Sequence, residues 1–131
     1  MRLWRLVLES AHCLMNQLRA TGHGPFSHLE ILALYVAAIG HDAGHFGLNN
    51  AYLKNAGHPL YLEHPEAALE HMHASVLAEI VAHPHDGLLA CLAPAARDPF
   101  LAHVQSIVLS TDMAGRVGRV DYAWCFLIHA L

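Results

Sequence analysis

The run Ile31-Leu32-Ala33-Leu34-Tyr35-Val36-Ala37-Ala38-Ile39-Gly40-His41-Asp42-Ala43-Gly44-His45 decides how this chain reads. Its first nine residues carry no charge and are apolar on every side of a helical wheel, which predicts a buried helix. Ser27 and Glu30 stand ahead of it at capping-box spacing, where the Ser hydroxyl and the Glu carboxylate each satisfy a backbone N–H of the first turn. Such a helix delivers His41 and Asp42 from the interior to the edge of a cavity, and Gly44 allows close approach there. His41 and His45 are four residues apart, so they are expected to share one helix face, with Asp42 beside them as a carboxylate able to bridge a second ion. Burying that carboxylate unpaired would cost on the order of several kcal/mol or raise its pKa, so a bound cation is the expected partner. The pattern points to hydrolytic metal chemistry.

Working outward, Leu3, Leu6, Val7, Leu14 and Leu18 recur at helical spacing, and Gly22, Gly24 and Pro25 end that first helix. His12 falls on a second face between Leu8 and Met15. Residues 46 to 63 read as loop with one short helix around Asn50 to Asn55. Pro65 suits the first turn of a further helix with Leu69, His73, Val76 and Ile80 on one stripe; Leu69, Val76 and Ile80 are assigned to the core and His73 to the buried side. His83-Pro84-His85-Asp86-Gly87 breaks that helix in a solvated turn, and a short apolar segment ends at Pro94. A helix is expected from Asp98 and Pro99, with Leu101, Val104, Val108 and Asp112 on one face and Gly115 and Gly118 interrupting it. Val120 to Leu131 is again apolar and helical in pattern and lacks a cap or polar tail, so the chain reads as cut in mid-helix. That exposed face is expected to favour self-association.

With 131 residues the chain fits a single domain, spanning 1 to 131, and 55% hydrophobic composition without alternating β-branched runs predicts an all-α fold. Seven Lys and Arg against eleven acids exclude the basic footprint of a nucleic-acid binder, so an anionic ligand must be drawn by metal ions. The longest apolar run falls far short of the ~20 residues that span a bilayer. Cys13, Cys91 and Cys125 form no CxxC pair and leave an odd count, as expected of thiols in a reducing interior, and a cytoplasmic setting follows. Among thirteen histidines an isolated ring is more often a hydrogen-bonded or surface residue than a ligand; the cluster at 41 to 45 shifts that weighing. Candidates to complete a cation site are His12 and Asp112, each from another helix.

The segment from Ala37 through His41-Asp42-Ala43-Gly44-His45-Phe46-Gly47-Leu48-Asn49-Asn50-Ala51-Tyr52-Leu53 resembles the HDxxHxGxxNxF/L signature of class I 3',5'-cyclic nucleotide phosphodiesterases. Further segments agree in order. His58-Pro59-Leu60 is similar to the family's HPL or SPL stretch, Leu69-Glu70-His71-Met72-His73 to LExHH, Val108-Leu109-Ser110-Thr111-Asp112-Met113-Ala114 to its TDM segment, and Leu127-Ile128-His129-Ala130 to the approach to its last metal aspartate; His12-Cys13 stands in place of an early HA ligand. The resemblance covers residues 8 to 131 and implies a helical HD-type phosphohydrolase domain with two divalent ions, usually zinc and magnesium. It implies that His12, His41 and Asp42 hold the first ion, with Asp42 also facing the second. His45 and Asn50 would lie near the bridging water or phosphate, Glu70 and His73 would support the second ion's water shell, and Thr111, Asp112 and Met113 would line the nucleotide side. The implied reaction is attack of a metal-bridging hydroxide on phosphorus, opening cAMP or cGMP to a 5'-monophosphate.

The chain departs from the family pattern in four places. Leu8 and Glu9 stand where members carry His and Asn, the histidine being the acid that protonates the leaving 3' oxygen, a loss that costs ~10²- to 10⁴-fold in rate. Met72 replaces the first His of LExHH, and Arg116 stands where the TDM segment leads to His. The sequence reads as about the first half of a catalytic domain, ending before the metal aspartate and before the glutamine and aromatic clamp that hold the base. Two rival readings stay open: a non-catalytic helical interaction module on the same scaffold, and a zincin-like peptidase using His41 and His45 with a third ligand downstream.

Overall fold

The computed structural model describes residues 3–22 and 26–112. Within them the chain folds as α1 (Leu3–Ala20), α2 (His28–Gly40), α3 (Asn50–Ala56), α4 (Pro59–Glu63), α5 (Ala68–Val81), a 3₁₀ turn (Leu88–Cys91) and α6 (Pro94–Leu109), with no strand among the described residues. The all-α expectation holds. None of these helices is long and apolar enough to cross a membrane. Met113 and the expected helix from Val120 to Leu131, with Gly115, Arg116, Gly118, Cys125 and His129, lie outside the described residues.

Helix α2 begins as its spacing predicts. The Ser27 hydroxyl accepts from the Glu30 N–H at 3.2 Å, the Ser27 N–H donates to Glu30 Oε2 at 2.8 Å, and the box closes. Helix α2 is apolar all round because it is packed on two sides. Ala33 and Ala37 enter a core with Ala74, Leu77 and Val81 of α5 and Phe100, Val104 and Val108 of α6, while Leu34 and Ala38 meet Val7, Ala11 and Met15 of α1. Small residues on α2 bring the backbones close. At Gly40 an added Cβ would stand 2.4 Å from Leu77 Cδ1, so the end of α2 sits directly on α5. Phe100 is fully buried and stabilises this core by about 1.5–3 kcal/mol relative to exposure. A third, smaller cluster of Leu53, Ala68 and Leu69 joins α3 to the start of α5.

Five expectations about elements are corrected. Helix α6 starts at Pro94, not at Asp98: Pro94 occupies the N-terminal turn where its missing N–H costs nothing, and Pro99 inside the helix forfeits a single i→i−4 bond. Helix α5 starts at Ala68, with Pro65 in the bend before it, and Pro59 instead opens α4, inside the stretch expected to be loop. Ile80 is 58% exposed and not core, because the buried rows of α5 run through Leu69, His73, Leu77 and Val81, one position round from the stripe through Val76 and Ile80. Asp112 lies beyond the end of α6, where Thr111 turns its hydroxyl back on the Val108 carbonyl at 2.7 Å.

Candidate metal and phosphate site

Helix α2 stops at Gly40, and His41 is its C-cap. The backbone then tightens, with Ala43 N–H donating to the Gly40 carbonyl and His45 N–H to that of Asp42, until Gly44 turns with φ +75. His41 and His45 therefore do not share one face of a continuing helix, which corrects the geometry on which the peptidase reading rests. The turn lies against α5 instead. A Cβ on Gly44 would meet Val76 Cγ2 at 3.3 Å and Met72 Sδ at 3.4 Å, so the close approach expected at this glycine is made to the α5 surface.

Two imidazoles flank the Asp42 carboxylate, His41 Nε2 at 3.3 Å from Oδ2 and His73 Nε2 at 4.0 Å from Oδ1. Each ring is held from behind by a main-chain carbonyl: His41 Nδ1 donates to Ala38 O at 3.0 Å and His73 Nδ1 to Ala43 O at 2.8 Å. A carbonyl only accepts, so both hydrogens sit on Nδ1, and a neutral ring keeps its lone pair on Nε2, the atom that faces Asp42. This backing is the arrangement that orients histidine ligands in metal sites. His73 is 3% exposed and its Ala43 partner half-buried, whereas the Asp42 side chain is 67% exposed. The burial cost expected at Asp42 is thus not paid; the carboxylate stays in water with nitrogen atoms beside it.

His45 takes the opposite tautomer. Its Nδ1 accepts from the Gly47 N–H at 3.0 Å, which leaves the neutral ring with a donor at Nε2. The same ring stacks on His73 with centroids 5.4 Å apart and planes inclined by 18°. The Nδ1 atoms of His41 and His73 thus meet a backbone acceptor and that of His45 a backbone donor, a division set by which backbone group each ring meets.

Asn50 opens α3 and reaches across to α5, donating to Glu70 Oε2 at 2.9 Å and accepting from the Leu69 N–H at 3.0 Å. His12 is elsewhere. It is exposed on α1, its Nδ1 lies 3.0 Å from the Tyr35 hydroxyl, and it lines a shallow cavity of about 480 Å³ with Arg5, Leu8, Glu9, Cys13 and Asn16. No three His, Cys, Asp or Glu side chains among the described residues are placed to hold one ion together, so His12 does not join His41 and Asp42 here. Thr111 and Asp112 follow α6, and Met113 lies outside the described residues.

Sequence reading missed the Ala38 and Ala43 carbonyls, which no side-chain pattern announces. It also missed Tyr35, for which a signal existed: a tyrosine on an otherwise apolar helix needs a partner for its hydroxyl. His64 and His71 form a further pair, stacked with centroids 3.8 Å apart; burial first, and the neighbouring His64 second, hold the His71 imidazole below its ordinary value. His83 and His85 lie in an exposed turn as expected, with His83 bonded to Asp86.

Residues 6–120 match the family model described as "3'5'-cyclic nucleotide phosphodiesterase". The chain is similar to proteins named "cGMP-specific 3',5'-cyclic phosphodiesterase" from Drosophila virilis, Drosophila pseudoobscura pseudoobscura and Drosophila melanogaster. Each is 31% identical over 112 residues, which is 85% of this chain but 12% of the first relative and 10% of the other two. The chain thus spans about a tenth of the length of the curated relatives it matches.

Proposed function

The chain belongs to the 3',5'-cyclic nucleotide phosphodiesterase family, and from that premise we propose that it acts in the hydrolysis of cAMP or cGMP to the 5'-monophosphate. Since the similar proteins are named cGMP-specific, cGMP is the first substrate to try. In this reaction water adds to phosphorus, the bond from phosphorus to O3' breaks, and O3' takes a proton. His41 through Nε2 and Asp42 through its carboxylate would hold a divalent cation, zinc or magnesium, and imidazole nitrogen with an exposed carboxylate oxygen is a donor set that suits one. When bound, such an ion lowers the pKa of its water and neutralises charge on the phosphoryl oxygens. His45 would donate from Nε2 to a phosphoryl oxygen, while His73 braces the His45 ring and the Ala43 turn. Glu70 would order water on the far side. His12 as a further ligand, and Thr111, Asp112 and Met113 on the nucleotide side, rest on the family pattern. The proposed setting is the cytoplasm, in line with the free thiols of Cys13 and Cys91.

The observation that carries this reading is the pair of carbonyl-backed imidazoles facing Asp42. Elemental analysis of the purified chain after loading with zinc and magnesium, together with cGMP and cAMP hydrolysis, tests it. Retention of a divalent ion that His41→Ala abolishes, with nucleotide hydrolysis lost in the same variant, is expected. No retained ion and no effect of His41→Ala removes the site. One observation favours a second reading, the helical interaction module: Leu8 occupies the place of the family's acid, and His12 is engaged with Tyr35. An ion retained by His41 without hydrolysis of either nucleotide, in a chain that self-associates, favours that reading.

A further inference from the structure

We infer that Asn50 is a positioning residue, a cap supplied to α5 from another element, and not a group that meets the phosphate. Helix α5 begins without a cap of its own, since its N-cap is Ala67 and no side chain there reaches the first-turn N–H groups. Glu70 holds the third helical position, the acidic half of a capping box whose hydroxyl half is missing. Asn50 supplies the missing half from the first residue of α3. Its Oδ1 takes the Leu69 N–H at 3.0 Å and its Nδ2 gives a hydrogen to Glu70 Oε2 at 2.9 Å, both bonds part-buried. Leu69 is itself buried, at 6% exposure, so water does not readily replace the Oδ1 partner. Turning the amide towards a phosphoryl oxygen would break both bonds at once.

The cap matters to the site because of what it joins. Asn50 follows directly on the loop that carries His45, and one turn beyond Leu69 on α5 stands His73, whose ring meets the Ala43 carbonyl and stacks on His45. Asn50 therefore closes the far end of a segment whose near end is fixed by Gly44 against Met72 and Val76. The inference rests on this hydrogen-bond pattern and holds whether or not the chain hydrolyses a cyclic nucleotide.

The test uses the 131-residue chain with Asn50→Ala, Asn50→Asp, and Asn50→Asp combined with Glu70→Gln, which reverses donor and acceptor. Two NMR readouts apply: exchange of the Leu69 amide, and the His73 ring signal that marks hydrogen on Nδ1. Asn50→Ala should speed Leu69 exchange on the order of five- to tenfold and weaken the His73 signal. Asn50→Asp, which sets two carboxylates face to face, should do at least as much. The double variant should restore both signals, an outcome that a phosphate-contact role does not produce. Leu69 and His73 unmoved in Asn50→Ala, or a double variant no better than Asn50→Asp, overturns the inference. If Asn50→Ala fails to fold, the double variant still decides.

Discussion

The turn after α2 and helix α1 each carry a histidine proposed as a metal ligand, yet they hold it in different ways. His41 and His73 are fixed by backbone carbonyls of α2 and of the turn that follows it, so their orientation is part of the fold. His12 is exposed, and its ring meets the Tyr35 hydroxyl, itself a rotatable group. An imidazole backed by a carbonyl has one tautomer and one direction. An imidazole facing a hydroxyl can donate or accept, so its ring is not committed. The difference teaches that a ligand's readiness depends on the atom behind the ring as much as on what lies ahead of it.

Removing the floor of the committed region should have the largest effect. Phe100→Ala opens a cavity in the core shared by α2, α5 and α6 and should destabilise the chain by about 3–5 kcal/mol in urea unfolding. A loss under about 1 kcal/mol would show that this core does not support the turn. Next in size is Gly44→Ala, where positive φ costs roughly 1–2 kcal/mol and the new Cβ presses on Val76 and Met72. The His73 ring signal should shift in that variant; an unmoved signal would separate the turn from α5.

The His12 side should respond more weakly. Tyr35→Phe removes one exposed hydrogen bond, worth about 0.5–1 kcal/mol or less, and should leave the His41 and His73 resonances in place. Perturbation of those resonances would mean that the two regions are coupled after all. Smallest is a pH effect at His71. Its folded pKa is held down by burial and by His64, so the folded chain binds fewer protons than the unfolded chain below the ordinary value of about 6.5. The associated stability is complete above that value and is lost as pH falls through it towards the depressed folded one. Melts between roughly pH 7.5 and 5.5 should be less pH-dependent in His71→Gln; an unchanged slope would locate the proton uptake elsewhere.

Much of this was legible in the residues. The Ser27 and Glu30 box, the break at His83 to Gly87 and the close approach at Gly44 follow from side-chain chemistry at short range, and short-range chemistry is what spacing records; the buried α2 holds only in part, since Ala33, Leu34, Ala37 and Ala38 are inside while Ile39 is 63% exposed. The start of α6 was misread because two prolines compete for the same signal, and the face of α5 because a shift of one residue rotates a helix by about 100°. His41 and His45 were placed on one helical face by counting, whereas positive φ at Gly44 ends that count.

By itself the sequence determined the helical class, the ordered family motifs and the residue types gathered at the site, because each is written in periodicity or in neighbours a few positions apart. Only the tertiary structure decided which backbone groups His41, His45 and His73 meet, that Asn50 caps a helix nineteen residues away at Leu69, and that His12 pairs with Tyr35. Those outcomes depend on backbone carbonyls and N–H groups meeting side chains across the fold, and every residue type carries the same carbonyl.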